Sequence, residues 1–477
     1  MIMWTKLAVA LGLLLVPLVA TARPIAFVSV TVLPMDGRPR LERQTVVVDK
    51  GRITAIAPAG SSRVPRNALR IDGRGRTLMP GLSDMHAHVF GYPPATSPAE
   101  AAAQDRRARF ELLAYLATGV TVLREANGSP THLRYRAALT KGDIVGPALF
   151  VASPVLEGPQ PTWPLAMVVA KPESAEHLVA SFARDGYDFV KVYHTLPGPT
   201  YTAIMASAKG HRLKVIGHVP FDVVIEAALA SGQYSIEHLR GYDFEGLSRG
   251  ALDKQGGRSV ERFSSWQRIP DDRLAALADA TVKADAWNCP TLAVAEWLAN
   301  PTKRLSVLDD PEFKLYPPDT AALVRSNDLD KLFPDPVKAA IAGSLPRSRA
   351  FVRLLHERGA TLLIGTDSGV PFLVRGFTPI DEIQAFVAAG IPTADVLRIA
   401  TADAARSLGV YDRTGSVTIG KHTDLILVEG DPVADPSVLW RLVGVTSRGR
   451  WRTKIEMREE LARLSAAIAA DLPPSPS

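Results

Sequence analysis

The stretch that decides the fold is Leu82-Ser83-Asp84-Met85-His86-Ala87-His88-Val89. It is a short, largely apolar run that ends in two histidines separated by one residue. Alternate side chains of a β-strand point to the same face, so both imidazoles can reach one locus. The run therefore predicts a buried strand with polar groups at its C-terminal end. Because a His-x-His pair also occurs in purely structural roles, its meaning depends on the rest of the chain.

Seven further strand-like runs follow between residues 79 and 409, at 120–124, 148–152, 189–193, 214–218, 234–238, 286–292 and 361–366. Helical stretches separate them, which is typical of βα units, and eight parallel strands close a barrel. We therefore expect an α/β fold, a (β/α)8 TIM-like barrel over 79–409, with a helix at 99–117. Partly helical insertions at 241–283 and 296–349 are candidate substrate walls, because the loops after barrel strands form the active site.

Short β-like runs flank the barrel at both ends of the chain. They lie at 28–32, 45–49, 53–57 and 69–71 on one side, and at 415–419, 424–427 and 442–447 on the other. Separation by Gly, Pro and Asp predicts antiparallel strands. We expect one small β-sandwich domain built from 23–78 and from 410–472, the second part with a terminal helix, followed by a disordered tail at 473–477.

Residues 1–22 have the features of a secretory signal peptide. Lys6 precedes an apolar run over 7–16, and Ala20-Thr21-Ala22 supplies the small residues that a signal peptidase recognises. The apolar run stops at Pro17, short of the roughly 20 residues that span a bilayer, which makes a membrane anchor the weaker alternative. The sequence predicts cleavage after Ala22, a secreted or periplasmic protein, and no stable membrane span after cleavage.

Composition excludes several classes of protein. The 477-residue chain is 47% hydrophobic and 22% charged, which is a globular balance unlike that of disordered, collagen-like or coiled-coil proteins. Its net charge of +6 is scattered singly, so we expect no nucleic-acid partner. The single cysteine, Cys289, rules out an intrachain disulfide and a Cys-rich zinc site. Oligomeric state stays open, a homo-oligomer included.

Ionisable side chains recur at the C-terminal ends of four other predicted strands: Lys191, His218, His238 and Asp367. A lone Lys or His is costly to bury in its charged form, so each needs a reason to be there. The carboxyl ends of parallel strands lie on one side of a barrel, which brings these groups near the two histidines of the first strand. The recurrence predicts a metal site.

The residues beside these groups are weaker candidates. Tyr193 shares a face with the lysine two positions before it, and it either binds substrate or packs in the barrel. Arg240 and Tyr242 lie just past the last histidine, where an arginine could hold a substrate carboxylate, although loop arginines are mostly solvated. We expect no metal role for His194, and we expect Cys289 to be a small buried residue rather than a nucleophile.

These motifs resemble the amidohydrolase superfamily. The resemblance rests on residues 79–88, on 119–124, on Ser235-Ile236-Glu237-His238, on Gly365-Thr366-Asp367, and on the closing stretches 400–405 and 420–425. The chain is most similar to the imidazolonepropionase-like branch, which includes metal-dependent Xaa-Pro dipeptidases. True imidazolonepropionases and deaminases use one metal and lack a lysine on the fourth strand. This chain has Lys191 there, and has Val219-Pro220 where a deaminase would place its acid.

The resemblance implies two divalent metal ions, with Zn²⁺ expected and Mn, Co or Ni left open. The implied ligands are His86, His88 and Asp367 for the first metal, His218 and His238 for the second, and carboxylated Lys191 as the bridge. Burial would keep the lysine amine neutral and able to take up carbon dioxide. A hydroxide bridging the metals would attack a polarised carbonyl, and Asp367 would accept its proton and pass it to the leaving amine.

The sequence therefore predicts a secreted metal-dependent hydrolase that cleaves an amide or peptide C–N bond in a small-molecule substrate, such as an Xaa-Pro dipeptide or an N-acyl amino acid. Three alternatives stay open. They are lactone, ester or phosphotriester hydrolysis at the same site, mononuclear imidazolonepropionase- or deaminase-like chemistry, and a non-catalytic binding protein on a retained barrel.

Overall fold

The computed structural model describes residues 23–61, 63–90, 95–163, 165–247, 259–326, 328–369 and 373–472. The expected signal peptide and the C-terminal tail lie outside these residues. Two sheets organise the described chain, a parallel sheet in the middle and a second sheet built from both ends. The predicted architecture of a TIM-like barrel with a separate β domain is confirmed. Among the described residues, no helix is both long and apolar enough to cross a bilayer.

In chain order, the strands are β1 (Ile25–Val32), β2 (Leu41–Asp49), β3 (Arg52–Pro58), β4 (Leu69–Asp72), β5 (Arg76–Pro80), β6 (Leu82–Ala87), β7 (Val120–Glu125), β8 (Ala148–Glu157), β9 (Met167–Val168), β10 (Phe189–Val192), β11 (Lys214–Gly217), β12 (Ser235–Glu237), β13 (Trp287–Cys289), β14 (Leu425–Glu429), β15 (Leu442–Ser447) and β16 (Arg450–Thr453).

The α-helices are α1 (Pro98–Ala117), α2 (Pro130–Lys141), α3 (Glu173–Asp185), α4 (Gly198–Gly210), α5 (Ile225–Ala230), α6 (Val260–Ser264), α7 (Asp271–Lys283), α8 (Leu292–Ala299), α9 (Pro301–Ser306), α10 (Pro318–Arg325), α11 (Asp328–Leu332), α12 (Asp335–Glu357), α13 (Pro379–Ala388), α14 (Thr393–Arg398), α15 (Ala404–Ser407) and α16 (Lys454–Asp471). A π-helical turn, Ile399–Asp403, joins α14 to α15.

The terminal sheet has the strand order β16-β15-β14-β5-β1-β2-β3, with β4 beside β1. The two ends of the chain meet where β5 pairs antiparallel with β14, Leu78 opposite Leu427. A flat sheet would separate β1 from β16 by about 19 Å at the usual spacing of strands. The ring of Phe27 in β1 nevertheless packs edge-on against Trp451 in β16, with 5.4 Å between centroids. The sheet therefore curls over its own apolar core, as a sandwich does.

The terminal sheet differs from the sequence-based expectation at three places, one of which is the unpredicted strand Arg450–Thr453. Residues 415–419 are not a strand, and Gly415 adopts a left-handed conformation with φ of 80° that breaks the extended backbone. Val417 still donates its N–H to the carbonyl of Pro34 and is fully buried, so the segment contributes its side chain to the core without pairing. The strand Arg76–Pro80, which was not predicted, extends the terminal sheet up to the first barrel strand.

The barrel sheet has the order β13-β12-β11-β10-β8-β7-β6, and β9 pairs with the end of β8. The eighth predicted run, 361–366, is too irregular to form a named strand, yet it fills the eighth position. The N–H of Leu363 donates to the carbonyl of Asn288 in β13, and the carbonyl of Ile364 accepts from Met85 of β6, each at 2.8 Å. Isolated parallel bridges on both sides complete the closure of the barrel.

Helices cover the outside of the barrel, and the predicted helix at 99–117 is present as α1. Ser97 caps it by accepting from the N–H of Glu100, and Pro98 occupies its first turn. The terminal helix α16 packs along α1, and Arg106 pairs with Asp471 at 2.6 Å. The insertions after β12 and β13 are partly helical, as expected. The helices between residues 292 and 341 enclose an apolar cluster around Trp297.

Candidate metal centre

The structure brings the predicted ligands together at one end of the barrel. They come from β6 and β10 and from the residues that directly follow β6, β11, β12 and the eighth segment: His86, Lys191, His88, His218, His238 and Asp367. His86 and Lys191 are each 1% exposed, so neither group is solvated from bulk water. Since each element ends at the same height, these side chains converge as the strand pattern predicted.

Two of these residues have unusual backbone conformations. His238 has φ of 58° and Asp367 has φ of 55°, both in the left-handed region that residues with a Cβ rarely occupy. Each lies immediately past the end of its strand segment, where the turn redirects its side chain. Left-handed non-glycine residues are concentrated at functional sites, where surrounding contacts hold them.

Distances between the ligand atoms are short. Oδ1 of Asp367 lies 3.1 Å from Nε2 of His88 and 3.5 Å from Nε2 of His86. Nε2 of His86 also lies 3.4 Å from Nζ of Lys191. The ligand atoms offered by His86, His238 and Asp367 all lie within 4.8 Å of one another, which is compact enough for a shared metal ion.

All four imidazoles are held by a partner at Nδ1. The partners are Glu237 for His86 at 2.5 Å, Glu125 for His88 at 3.4 Å, His194 for His218 at 3.0 Å and Thr291 for His238 at 2.7 Å. A protein partner at one ring nitrogen fixes the ring and the tautomer of a metal-ligating histidine. The arrangement leaves Nε2 of each ring directed at the common centre.

The remaining donor atoms fit divalent metal ions. Nε2 of His218 is buried and has no hydrogen-bond partner among the described residues, and an unpartnered buried nitrogen is costly unless a ligand satisfies it. Four imidazoles, a carboxylate and a lysine form a donor set that suits Zn²⁺ and similar cations.

Burial sets the protonation of these groups. It lowers the pKa of His86, His218 and His238 well below the usual value, although Asp367 opposes the shift for His238, so the lone pairs of these rings are free. Burial also lowers the pKa of Lys191 to about 8, although Glu237 and Asp367 oppose it. For Asp367, burial is outweighed by His238, His88 and Lys191, which together bring the pKa of this carboxyl below its usual value.

A buried ion pair supports the first ligand from behind. Glu237, which precedes the ligand His238, accepts from His86 through one oxygen and from Nη2 of Arg124 through the other at 2.8 Å. Arg124 and Glu237 are fully buried. Both residues lie in the sequence motifs described above, but no role was expected for either. Their signal was a charged residue inside an otherwise apolar strand.

A second acid, Glu125, holds the loop that carries His88. It accepts from the backbone N–H groups of Val89 at 2.6 Å and Asn127 at 2.7 Å, besides its contact with the imidazole. Sequence reasoning also passed over this residue. It lies at the C-terminal end of β7, as the predicted ligands do on neighbouring strands. This shared position is the feature of the sequence that could have indicated it.

One of the three candidate substrate-binding residues, Tyr193, contacts the centre, and a second, Arg240, acts on it electrostatically. The half-buried ring of Tyr193 stacks on His218, with 3.9 Å between centroids. Arg240 is close enough for its charge to help lower the pKa of His218, after burial and His238. Both remain candidates for contact with substrate.

The structure does not place Tyr242 at the centre. Its side chain is fully buried, its hydroxyl is 2.7 Å from Oγ1 of Thr281 in α7, and its ring packs against Phe351 of α12. The chain turns into a 3₁₀ helix at Tyr242–Phe244, and this turn directs the tyrosine between the outer helices. The assignment of Tyr242 to substrate binding is therefore corrected to a packing role.

The two residues expected to lack a metal role also have defined places. His194 contacts His218 and does not reach the centre with its own second nitrogen, which bonds to Thr162 at 2.6 Å. Cys289 is buried at the end of β13, and burial raises the pKa of its thiol well above the usual value. A thiol in this state is a poor nucleophile.

Comparison with known proteins decides the family. A model of the amidohydrolase family matches residues 77–452, which is most of the chain. The chain belongs to the amidohydrolase family. The match spans the whole barrel and the strands β14, β15 and most of β16. A search of curated proteins returned no match.

Solved structures similar to this amidohydrolase share its fold. One is an Xaa-Pro dipeptidase with bound methionine in the active site, with TM-score 0.67 and 20% identity over 90% of this chain and 100% of that one. Another is a bottromycin amidohydrolase, with TM-score 0.68 and 24% identity over 94% and 91%. A third is A. niger ochratoxinase, with TM-score 0.62 and 18% identity over 90% and 96%.

Family membership gives this amidohydrolase a general activity. It is a hydrolase that acts on carbon–nitrogen bonds. The family is generally metal-dependent, and the described residues contain a matching candidate group in His86, His238 and Asp367. A second compact group, made of His86, Glu237 and Cys289, shares its histidine with the first and is already linked internally by the His86–Glu237 hydrogen bond.

Proposed function

We propose that this amidohydrolase cleaves the amide bond of a dipeptide, such as Xaa-Pro, or of an N-acyl amino acid, using two divalent metal ions. His86, His88 and Asp367 would hold the first ion. His218 and His238 would hold the second, and Lys191 would bridge them in its carboxylated form. Zn²⁺ is the proposed metal, because imidazole and carboxylate donors suit it.

One observation carries this proposal: every imidazole of the centre is tied at Nδ1 and directs Nε2 inward, where buried Nε2 of His218 has no partner among the described residues. Three of these rings, His86, His218 and His238, have a pKa well below the usual value, and such buried, fixed nitrogens around a lysine and a carboxylate would be unfavourable if nothing bound there. The structural likeness to an Xaa-Pro dipeptidase supports the choice of dipeptides as the first substrates to try.

The residues of the centre have separate proposed tasks. When bound, the metals would activate a water molecule and polarise the scissile carbonyl. Asp367, whose pKa is lowered by the neighbouring cationic groups against the effect of burial, is kept ionised and able to accept a proton, which it would pass to the leaving amine. The pKa of Lys191 near 8 makes the neutral amine accessible for carboxylation.

Tyr193 and Arg240 are the proposed contacts for the substrate carboxylate. An arginine can hold a carboxylate through two parallel hydrogen bonds, and a tyrosine hydroxyl adds a third donor. Tyr193 stacks on His218, so a carboxylate held there would place the neighbouring amide bond over the centre.

We also propose that the protein is exported and that residues 1–22 are removed. The first strand begins at Ile25, so cleavage after Ala22 leaves every strand intact. Intact-mass measurement on protein from the periplasm or the culture medium should give a chain that begins at Arg23. A mature chain that retains Met1 would contradict export by this route.

The decisive experiment is the metal content of protein purified without added metal or chelator, measured together with hydrolysis of Xaa-Pro dipeptides, N-acyl amino acids, lactones and esters. We expect about two metal ions per chain, amide hydrolysis that a chelator abolishes, and recovery with Zn²⁺. About one ion per chain would instead favour mononuclear chemistry, and turnover of lactones or esters without amides would replace the proposed bond type.

Lys191→Ala should lose metal and activity together. Lys214→Ala is the matched control, since Lys214 begins the adjacent strand β11 and bonds to the carbonyl of Ser407, at the opposite end of that strand from His218. A Lys191→Ala protein that retains two metals and full activity would refute the bridging role.

A further inference from the structure

A buried acid, Glu157, lies at the start of a chain of side chains that ends at His218. It closes β8 and is fully buried. Its Oε2 accepts from the backbone N–H groups of Thr162 at 2.6 Å and Trp163 at 2.8 Å. Its Oε1 accepts from the hydroxyls of Thr162 at 2.9 Å and Thr195 at 3.2 Å. The carboxylate is thus anchored by four donors and serves only as an acceptor.

The direction of each following hydrogen bond is then fixed. Because the Thr162 hydroxyl donates to Glu157, its oxygen accepts from Nε2–H of His194, 2.6 Å away. A neutral imidazole with its proton on Nε2 has a lone pair on Nδ1. That lone pair accepts from Nδ1–H of His218 at 3.0 Å. His218 therefore has its own lone pair on Nε2, the buried nitrogen that faces the centre without a partner among the described residues.

We propose that Glu157, Thr162 and His194 form a one-way hydrogen-bond relay that holds His218 in the single tautomer able to bind the second metal. His194 is a positioning residue in this relay and does not touch the metal. The inference rests on the proposed metal centre, but it concerns residues outside the set of metal ligands.

Packing around the relay supports a fixed geometry. His194 and His218 are 3% and 2% exposed, and their rings lie nearly parallel at an angle of 18°. Tyr193 stacks on His218 on one side, and Phe221 packs against His194 at 4.8 Å. With both rings held in place, the hydrogen bonds select the tautomer rather than the orientation. The link through Thr162 also ties the loop after β8 to the ligand after β11.

The test uses two pairs of variants of the full-length protein. Thr162→Val removes the hydroxyl with little change in shape, whereas Thr162→Ser keeps it. His194→Phe removes the acceptor for His218, whereas His194→Asn can present its Oδ1 near the position of Nδ1. Thr281→Val is the control, since Thr281 is a buried threonine whose hydroxyl pairs with Tyr242 away from the centre.

The readouts are metal stoichiometry in graded Zn²⁺ buffers and the visible spectrum of the Co²⁺-loaded protein. Thr162→Val and His194→Phe should lower the affinity for the second metal about 10- to 100-fold, as is usual when a metal-ligating histidine loses its hydrogen-bond partner. They should leave the first metal in place and alter the Co²⁺ bands. Thr162→Ser, His194→Asn and Thr281→Val should stay close to the wild type, which a general loss of stability would not allow.

Two metals bound with wild-type affinity by Thr162→Val and His194→Phe would overturn the relay and leave the proposed function intact. A wild-type protein without affinity for divalent metal would overturn both. Equal weakening in Thr162→Val and Thr162→Ser would also overturn the relay, because the hydroxyl would then have no role.

Discussion

Oε2 of Glu237 lies 2.5 Å from Nδ1 of His86, while the other oxygen of the same carboxylate accepts from Arg124. One buried acid therefore serves as the partner of a candidate metal ligand and as the counter-ion of a buried arginine. Ser235 adds a third donor to it at 2.6 Å. The orientation of His86 thus depends on an ion pair that lies deeper in the barrel than the centre itself.

Glu237→Gln should lower the affinity for the first metal and destabilise the fold. The amide can still contact one partner, but it leaves the guanidinium of Arg124 buried without a counter-charge. Breaking a buried pair on one side costs about 3–5 kcal/mol, and loss of a partner behind a ligand costs about 10- to 100-fold in metal affinity. Urea unfolding and metal titration measure the two effects.

Glu176→Gln is the matched control, because Glu176 bonds to His211 at 2.8 Å on the exposed surface. It should change neither quantity beyond a few tenths of a kcal/mol, as is typical of exposed pairs. Equal changes in unfolding free energy and metal affinity in the two variants would show that burial of the Glu237 ion pair contributes to neither quantity.

Gly365→Ala should distort the centre through packing alone. A Cβ at this position would lie 2.3 Å from Sγ of Cys289 and 2.8 Å from Cβ of His86, so the strand beneath His86 must shift. We expect about 1–3 kcal/mol of destabilisation, together with weaker metal binding. Denaturant unfolding and metal titration check both.

Gly210→Ala provides the comparison, since nothing lies within 4 Å of a Cβ at this helical position. Alanine is a better helix former than glycine, so this change should be neutral or stabilise the protein by up to about 1 kcal/mol. If Gly365→Ala were as well tolerated, the close approach between the eighth segment and β6 would be wrong.

Stability should decrease with rising pH because of Glu382. Burial raises the pKa of this carboxyl to about 8 from 4.5, although the N–H groups of Leu292 and Ala293 oppose the shift. The folded chain then holds a proton that the unfolded chain releases between these values. Folding is therefore favoured at the acidic end of the window, and the contribution is lost as pH rises towards 8.

Glu382→Gln removes this titration, so its unfolding free energy should depend less steeply on pH, by at most about 1.4 kcal/mol per pH unit for one proton. Urea unfolding at pH 5, 6.5 and 8 measures the difference. Parallel pH profiles for the two proteins would mean that Glu382 is ionised in the fold.

Tyr242→Phe should leave catalysis unchanged and reduce stability by about 1 kcal/mol, the usual effect of losing one buried hydrogen bond. The hydroxyl bonds to Thr281 of the outer helix α7, away from the centre. Steady-state kinetics and thermal unfolding test the two parts. A large rise in KM would return this residue to the substrate site.

Sequence reasoning located the barrel and its six candidate ligands because both follow local rules. Alternation placed His86 and His88 on one face, and parallel strands carried the other groups to the same end. It missed the partners behind the ligands, because the pairing of Glu237 with Arg124 crosses three strands. No local pattern records that contact.

The errors have a similar origin. Proximity in sequence to His238 suggested that Tyr242 belongs to the centre, but Tyr242 begins a 3₁₀ helix and its side chain is directed between the outer helices. The run at 415–419 has the composition of a strand. Its conformation is instead set by the left-handed backbone of Gly415 and by the hydrogen bond from Val417 to Pro34. We expected no metal role for His194, and its contact with His218 could not be foreseen without coordinates.

The pairing of Leu78 with Leu427 joins strands that lie 349 positions apart in the chain. β5 has no partner on that edge until the chain beyond the whole barrel has been made. Contacts of such long range form slowly and leave apolar edges exposed in the meantime. Completion of the terminal sheet therefore requires the chain on both sides of the barrel, and it joins the segments that enter and leave the barrel.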